Sequence, residues 1–264
     1  MVNLYRNLPN FKGKYKLGSF LFSLPKTDVE RECLETVDMR DGSKILVDLR
    51  CPTERKAYFT GQYDYSIIQR LSKVLKTGST VLDVGANIGF YTIALGHDSR
   101  KASKEYSIYA FEPVKANFDR LAHNLNMNGL SHQNIHIFNL ALGNQEGQIK
   151  LQIGSASESS PTNNAIWIKD EVQEPKCSTC TSEITKLDIF AQQNKVQACD
   201  LIKVDIEGAE LEFFLGGRNF INKYRPIIWS EFNPYHANRF GYSFREISDL
   251  ASNWGYDLYK QKKP

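Results

Sequence analysis

Two short stretches carry the residue types that could do chemistry. The first is Val81 to Tyr91, VLDVGANIGFY. Gly85 lets the backbone approach a ligand with no Cβ in the way. Asn87 tolerates the left-handed conformation that most residues resist. Gly89 allows the following helix to pack close to the strand, and that helix start leaves free N–H groups aimed at a ligand. Asp83 can accept bonds from a cationic amino group. Further on, Glu112 follows a second apolar run, where a carboxylate can take both hydroxyls of a ribose. The turn reads G-x-x-x-G rather than G-x-G-x-x-G, and Asp83 would repel a pyrophosphate, so a dinucleotide fits less well than a ligand with a positive amino group.

The second stretch is Lys203 to Glu210, KVDIEGAE. Asp205 and Glu207 are two carboxylates two residues apart, costly to hold together unless solvated, paired or bound to a cation. They can serve as a general base, as the seat of a divalent cation, or as the cap and first-turn acids of a helix. Lys203 can neutralise one of them. Glu231 closes a later apolar run, and His236 follows it as a proton acceptor or a plain surface histidine.

These residues need a scaffold that brings strand ends together. Thr80–Val84, 106–111, Ile135–Leu142, 201–204 and 226–232 read as strands, and Tyr256–Tyr259 as a last one. Helical stripes fall between them: 66–76, from about Ile88, from Pro113, and through Leu211, Phe214 and Leu215. Ser243 with Glu246 forms a capping box for a final helix. Alternation of this kind predicts an α/β fold with a doubly wound parallel sheet, whose ligands bind outside the carboxyl ends of the strands. Glu35 to Leu49 reads as a hairpin turned by Asp41-Gly42. Two units are expected: an N-terminal extension over 1–65, and a main domain over 66–264. Residues 154–183 form a loop insertion within it, either a solvated loop with a short hairpin at 166–168 or a lid over a substrate.

The 264-residue chain has 33 basic and 30 acidic side chains and a net charge of +3, too balanced to predict nucleic acid as its partner. No apolar run reaches the ~18 residues of a spanning helix. Leu17–Leu24 is short, is ended by Pro25 and is followed by no small-residue cleavage site, so a cytoplasmic protein is expected. Phe20, Leu21 and Phe22 leave room for a weak membrane-surface contact. Five cysteines fit reduced thiols, and Cys177-x-x-Cys180 lacks the second pair that zinc would need.

Taken together the motifs resemble the FkbM family of S-adenosylmethionine-dependent methyltransferases. The matching pieces are YFTGQYDYSII (58–68), VLDVGANIGFYTIALG (81–96), AFEPVKANFDRLAHNLNMNG (110–129), LALGNQEG (140–147), TKLDIF (185–190), DLIKVDIEGAELEFFLGG (200–217) and RPIIWSEF (225–232). The family usually has Glu after the aromatic of the first piece, where this chain has Asp64.

The resemblance implies a Rossmann-like class I methyltransferase fold: a seven-stranded, mostly parallel sheet with its last strand antiparallel and helices on both faces. It implies S-adenosylmethionine held by Asp83, Gly85, Ala86, Asn87, Gly89 and Glu112. Tyr63, Asp64, Pro113, Asn117, Ala141, Leu142 and Asp205 are weaker matches for the same role. It further implies O-methylation of a hydroxyl on a sugar, a glycan or a secondary metabolite. A hydroxyl needs a base, for which Asp205 ranks first, then Glu207, with Glu231 and His236 behind. A divalent cation on Asp205 and Glu207 is the alternative. The rival readings are an N-methyltransferase, a nicotinamide-dependent dehydrogenase and a non-catalytic module that kept the fold.

Overall fold

The computed structural model describes residues 5, 8–9, 11–21, 33–131, 134–153, 165–168 and 178–260. Helix α1 (Lys14–Leu21) precedes a hairpin of β1 (Leu34–Asp38) and β2 (Lys44–Asp48), then α2 (Pro52–Thr60) and α3 (Tyr65–Val74). The alternating part begins with β3 (Thr80–Val84), α4 (Phe90–Lys101), β4 (Ser107–Phe111), α5 (Lys115–Met127) and β5 (Ile135–Phe138). Four strands follow: β6 (Ala141–Leu142), β7 (Gly147–Ile153), β8 (Ala165–Trp167) and β9 (Ser178–Thr185). The chain then runs through α6 (Leu187–Gln193), β10 (Leu201–Val204), α7 (Glu210–Gly216), α8 (Arg218–Tyr224) and β11 (Ile227–Ser230). It closes with α9 (Pro234–Arg239) and α10 (Phe244–Asn253).

The main sheet has the order β11-β10-β3-β4-β5, and every neighbouring pair is parallel. Its strands are apolar on both sides because both faces are covered. Leu82, Val84, Phe111, Ile202 and Val204 pack on one face with Phe190, Phe213 and Ile221. Val81, Ile108 and Leu201 pack on the other with Leu71 and Leu95. The chain leaves β3 toward β4 on one side and later returns through β10 on the other. The switch point therefore lies at the carboxyl ends of β3, β4 and β10, which is where a doubly wound sheet opens a crevice.

Seven strands were expected, and five stand in the main sheet among the described residues. Residues 256–259 form no strand. There the chain lies alongside the end of the fold, with the Tyr256 hydroxyl donating to the Pro226 carbonyl at 3.1 Å. The expected strand over 135–142 divides at Asn139: its first half joins the main sheet and Ala141–Leu142 joins a second one. The Asn139 side chain explains the break, since its Nδ2 donates to the carbonyls of Glu112 and Pro113, both at 2.9 Å.

The second sheet has the order β6-β9-β7-β8, with β7 antiparallel to both neighbours and β6 parallel to β9. It occupies part of the segment read as a loop insertion. In place of a short hairpin at 166–168, Ala165–Trp167 form a single strand, β8, paired antiparallel to β7, while 154–164 and 169–177, Cys177 included, lie outside the described residues.

The hairpin forms, with a different turn. A two-residue Asp-Gly turn needs positive φ at both residues, and only Gly42 has it, at +92°. Met39 N–H donates to Ser43 and Gly42 N–H to Met39 instead. The hairpin is built into the main body. Val37, Ile45 and Val47 share one core with Ile88, Ile93 and Leu121. The open edge of β2 is met by side chains of α5: Asn124 Oδ1 accepts from Leu46 N–H and Asn128 Oδ1 from Lys44 N–H, each at 2.8 Å. Side-chain amides thus stand in for a third strand. At the N-terminus Phe20 is 77% exposed on α1; the Leu21 side chain and Phe22 lie outside the described residues. No helix among the described residues is long and apolar enough to cross a membrane.

Candidate active site

A cleft of about 1010 Å³ opens over the carboxyl ends of β3, β4, β10 and β11. Of the residues singled out from the sequence, all line it except Asp83 and Gly89. Those two stand behind its surface.

Gly85 and Gly89 serve the fold more directly than the ligand. Gly85 has φ +74°, and a Cβ there would lie 2.0 Å from the Asp205 carbonyl oxygen. The close approach is between two backbone turns. Gly89 has φ +99°, and its Cβ would lie 2.6 Å from Leu121 on α5 rather than against the strand. We expect Gly85→Ala to cost roughly 2–5 kcal/mol, from the left-handed backbone and the overlap together. Equilibrium urea unfolding checks this, and a midpoint like that of the parent chain would disprove it.

Asn87 does adopt the left-handed conformation, with φ +51°. That aims its N–H at Glu112 Oε2, 2.8 Å away, while its own Oδ1 accepts from Ile88 N–H at 2.7 Å. Glu112 Oε1 accepts from Val114 N–H at 3.0 Å and from Asn117 Nδ2 at 3.3 Å. Burial raises the Glu112 pKa, these donors pull it back, and it settles at about 7. Asn117 Oδ1 is buried with no hydrogen-bond partner among the described residues, so this wall of the cleft holds an unused acceptor.

Asp83 is fully buried, and its Oδ2 accepts from the Thr92 hydroxyl at 2.6 Å. Its Oδ1 lies 3.2 Å from Lys203 Nζ, as an ion pair without the angle of a directed hydrogen bond. The sequence reading aimed Asp83 at a ligand's amino group. The structure instead commits it to Thr92 and Lys203, because its strand position points it beneath the cleft floor. Lys203 also donates to the Gly85 carbonyl at 2.6 Å. Burial works to lower the Lys203 pKa, but Asp83, Asp205 and Glu112 outweigh it and the net displacement is upward. Lys203 is thus the cation that ties β10 to the β3 turn.

The far side is acidic. Glu207 has positive φ (+53°), as does Gly208 (+102°), so the chain after β10 turns sharply. Glu210 holds that turn: its Oε1 accepts from Ile206 N–H at 3.1 Å and Gly208 N–H at 3.2 Å. Tyr242 in turn donates to Glu210 Oε2 at 3.0 Å and to the Gly208 carbonyl at 2.8 Å. Gly208 must be glycine, since a Cβ would lie 2.7 Å from the backbone of His236. That contact seats α9 against the turn and brings His236 Nε2 to 3.1 Å from Glu207 Oε2. Burial, then the charges of Asp205, Glu231 and Glu210, raise the Glu207 pKa to about 7. Burial and Arg239 lower that of His236. His236 Nδ1 is buried with no hydrogen-bond partner among the described residues.

The lower lip is aromatic. Tyr63 stacks on Phe90 with ring centroids 4.2 Å apart. Asp64 Oδ2 accepts from the Tyr91 hydroxyl at 3.0 Å, so the shorter acid at this position anchors Tyr91. Tyr91, Glu210 and Tyr242 have no role in the sequence reading, and among them only Glu210 carries a signal, as the last acid of its motif. Trp167 is the one aromatic residue of 154–183, where the sequence allows an aromatic to stack on the acceptor. Among the described residues no group of three or more His, Cys, Asp or Glu is placed to hold a metal ion.

The family model described as "Methyltransferase FkbM domain" matches residues 83–258, well over half of the chain. The chain belongs to the FkbM methyltransferase family. Methyltransferase 1 of Beauveria bassiana (strain ARSEF 2860) is 24% identical over 153 residues, covering 52% of this chain and 58% of that protein. The crystal structure of Methyltransferase FkbM from Methylobacillus flagellatus KT is similar at a TM-score of 0.43 and 15% identity, covering 80% of this chain and 49% of that one. TYW2 from M. jannaschii, solved in complex with AdoMet, is similar at a TM-score of 0.31 and 19% identity, over 41% of this chain and 43% of that one. The chain thus spans about half the length of the relatives it matches.

Proposed function

We propose that this FkbM-family chain is an S-adenosylmethionine-dependent O-methyltransferase whose acceptor is a hydroxyl of a sugar, a glycan or a secondary metabolite. The observation that carries the cofactor assignment is the charge of the cleft. Asp64, Glu112, Asp205, Glu207, Glu210 and Glu231 line it against only Lys56 and Lys203 among lysines. Such a field attracts a ligand with a sulfonium and an ammonium and repels the pyrophosphate of a nicotinamide dinucleotide. The residues also fit the rest of the molecule. Glu112 at the end of β4 can accept from ribose hydroxyls, and the free Asn117 Oδ1 can accept one more donor.

When bound, S-adenosylmethionine supplies a methyl carbon made electrophilic by its sulfonium. The chain's part is to hold the acceptor oxygen in line and to remove its proton. Alignment supplies much of the acceleration. For the proton, the geometry favours Glu207 with His236 over Asp205 alone. Glu207 takes the hydroxyl proton, and His236 Nε2 at 3.1 Å shares it. A carboxylate poised near 7 is well matched to this task at neutral pH. An amine acceptor needs no such base, so the pair supports oxygen as the target.

Isothermal calorimetry with S-adenosylhomocysteine and with NAD tests the cofactor, and radiolabelled methyl transfer to hydroxylated metabolites and glycans tests the reaction. Tight binding of NAD with none of S-adenosylhomocysteine would overturn the proposal. Glu112→Gln should weaken S-adenosylhomocysteine roughly 10–100-fold, the loss of charge-assisted hydrogen bonds. In the parent chain Glu112 is protonated below about pH 7. Affinity should therefore rise as pH passes upward through 7, and Glu112→Gln should flatten that rise.

A further inference from the structure

The cleft extends past the acidic turn onto the second sheet. Ile149 and Leu151 of β7 and Ile184 of β9 form its floor there, each at most 5% exposed. Trp167 of β8 lies over them, partly exposed, and lines the same cleft. Its ring meets Phe240 edge-on at 5.8 Å. Phe240 is the residue that caps α9, the helix carrying His236. One helix therefore links the aromatic platform to the proposed base. The main sheet brings Val84 and Phe111 to the same cleft, and Trp167 is added to it from the segment 154–183 that interrupts the alternation.

The platform has two chemical consequences. An indole over an aliphatic floor binds flat apolar faces, through burial and ring stacking. The carboxylates Asp205, Glu207 and Glu231 nearby resist any anion brought beside them. We infer that Trp167 and the second sheet are the acceptor platform, selecting an uncharged hydroxyl compound with a flat apolar ring face, laid on Trp167 with its hydroxyl toward Glu207 and His236. This rests on the methyltransferase reading for the direction of the hydroxyl, though not for the platform itself.

Two matched probes test it: neutral 2-naphthol and anionic 6-hydroxy-2-naphthoate, titrated calorimetrically into the full chain saturated with S-adenosylhomocysteine. We expect 2-naphthol to bind, Trp167→Ala to weaken it by about tenfold or more, and Trp167→Phe to restore most of the affinity. The naphthoate should bind at least about tenfold more weakly than 2-naphthol. Affinity for S-adenosylhomocysteine should be the same in all three chains, which also shows that the variants are folded. Should Trp167→Ala misfold, Trp167→Leu takes its place with the same expectation. Absence of 2-naphthol binding, equal binding in the Ala or Leu variant, or preference for the naphthoate would each overturn the inference. If S-adenosylhomocysteine fails to bind anywhere, the titration is run without it. The cofactor assignment then falls, while the platform is judged on 2-naphthol alone.

Discussion

Glu207→Gln should lower turnover about 10²–10⁴-fold, the range for loss of a positioned base, with cofactor affinity close to that of the parent chain. The amide keeps the size and the contact to His236 and loses only the ability to take a proton. The pH profile is the more telling readout. Glu207 must be ionised to act, and its pKa of about 7 in the free chain places the acid limb of kcat/KM there. In the Gln variant that limb should vanish. High turnover retained in the Gln variant would move the base to Asp205.

The same substitution should stabilise the fold. Glu207 is raised from 4.5 to about 7, so burial and its acidic neighbours disfavour the charged form in the folded chain. Its contribution is most favourable below pH 4.5 and is lost as pH rises through 7. Gln carries no charge at any pH. Above pH 7 the variant should therefore be more stable by on the order of 1 kcal/mol, a figure reduced because the carboxylate is 29% exposed and partly screened. A higher melting temperature at pH 8 than the parent, with no gain at pH 4, checks the sign. Gain of stability together with loss of turnover is the mark of a site held against its own repulsion.

Lys203→Met should cost about 3–5 kcal/mol, the penalty for leaving one partner of a buried ion pair without the other. Asp83 is fully buried and would keep only the Thr92 hydroxyl. The Gly85 carbonyl would lose its donor at 2.6 Å as well. The double variant Asp83→Asn/Lys203→Met removes the stranded charge and should recover most of the loss. Urea unfolding of both, measured against the parent, decides it. If the double variant is no more stable than the single one, the loss comes from packing and the ion pair is incidental.

Much of the local geometry around the cleft was legible in the sequence because it depends on nearby backbone. Asn87 occupies the left-handed conformation expected of it. Glu112 follows its strand and faces the cleft. The capping box of Ser243 and Glu246 is present as read. Where the reading went astray, distance along the chain was the reason. Asp83 was given to a ligand because its partner Lys203 lies 120 positions away. Gly85 lines the cleft, but nothing local shows that the Asp205 carbonyl also lies against it. Residues 135–142 look like one strand because both halves are apolar, and only the bonds from Asn139 to the strand next door divide them.

By itself, then, the sequence determined the alternation of strands and helices, the parallel sheet and the set of carboxylates at its strand ends. These follow from periodicity and from turns a few residues long. The tertiary structure decided which carboxylates face the cleft and what charge they carry. It sent Asp83 down to Lys203, set Glu207 against His236, and brought Trp167 from the interrupting segment to the same cleft. Those outcomes rest on burial and on contacts between distant residues, which shift a pKa or orient a ring only once the chain has closed on itself.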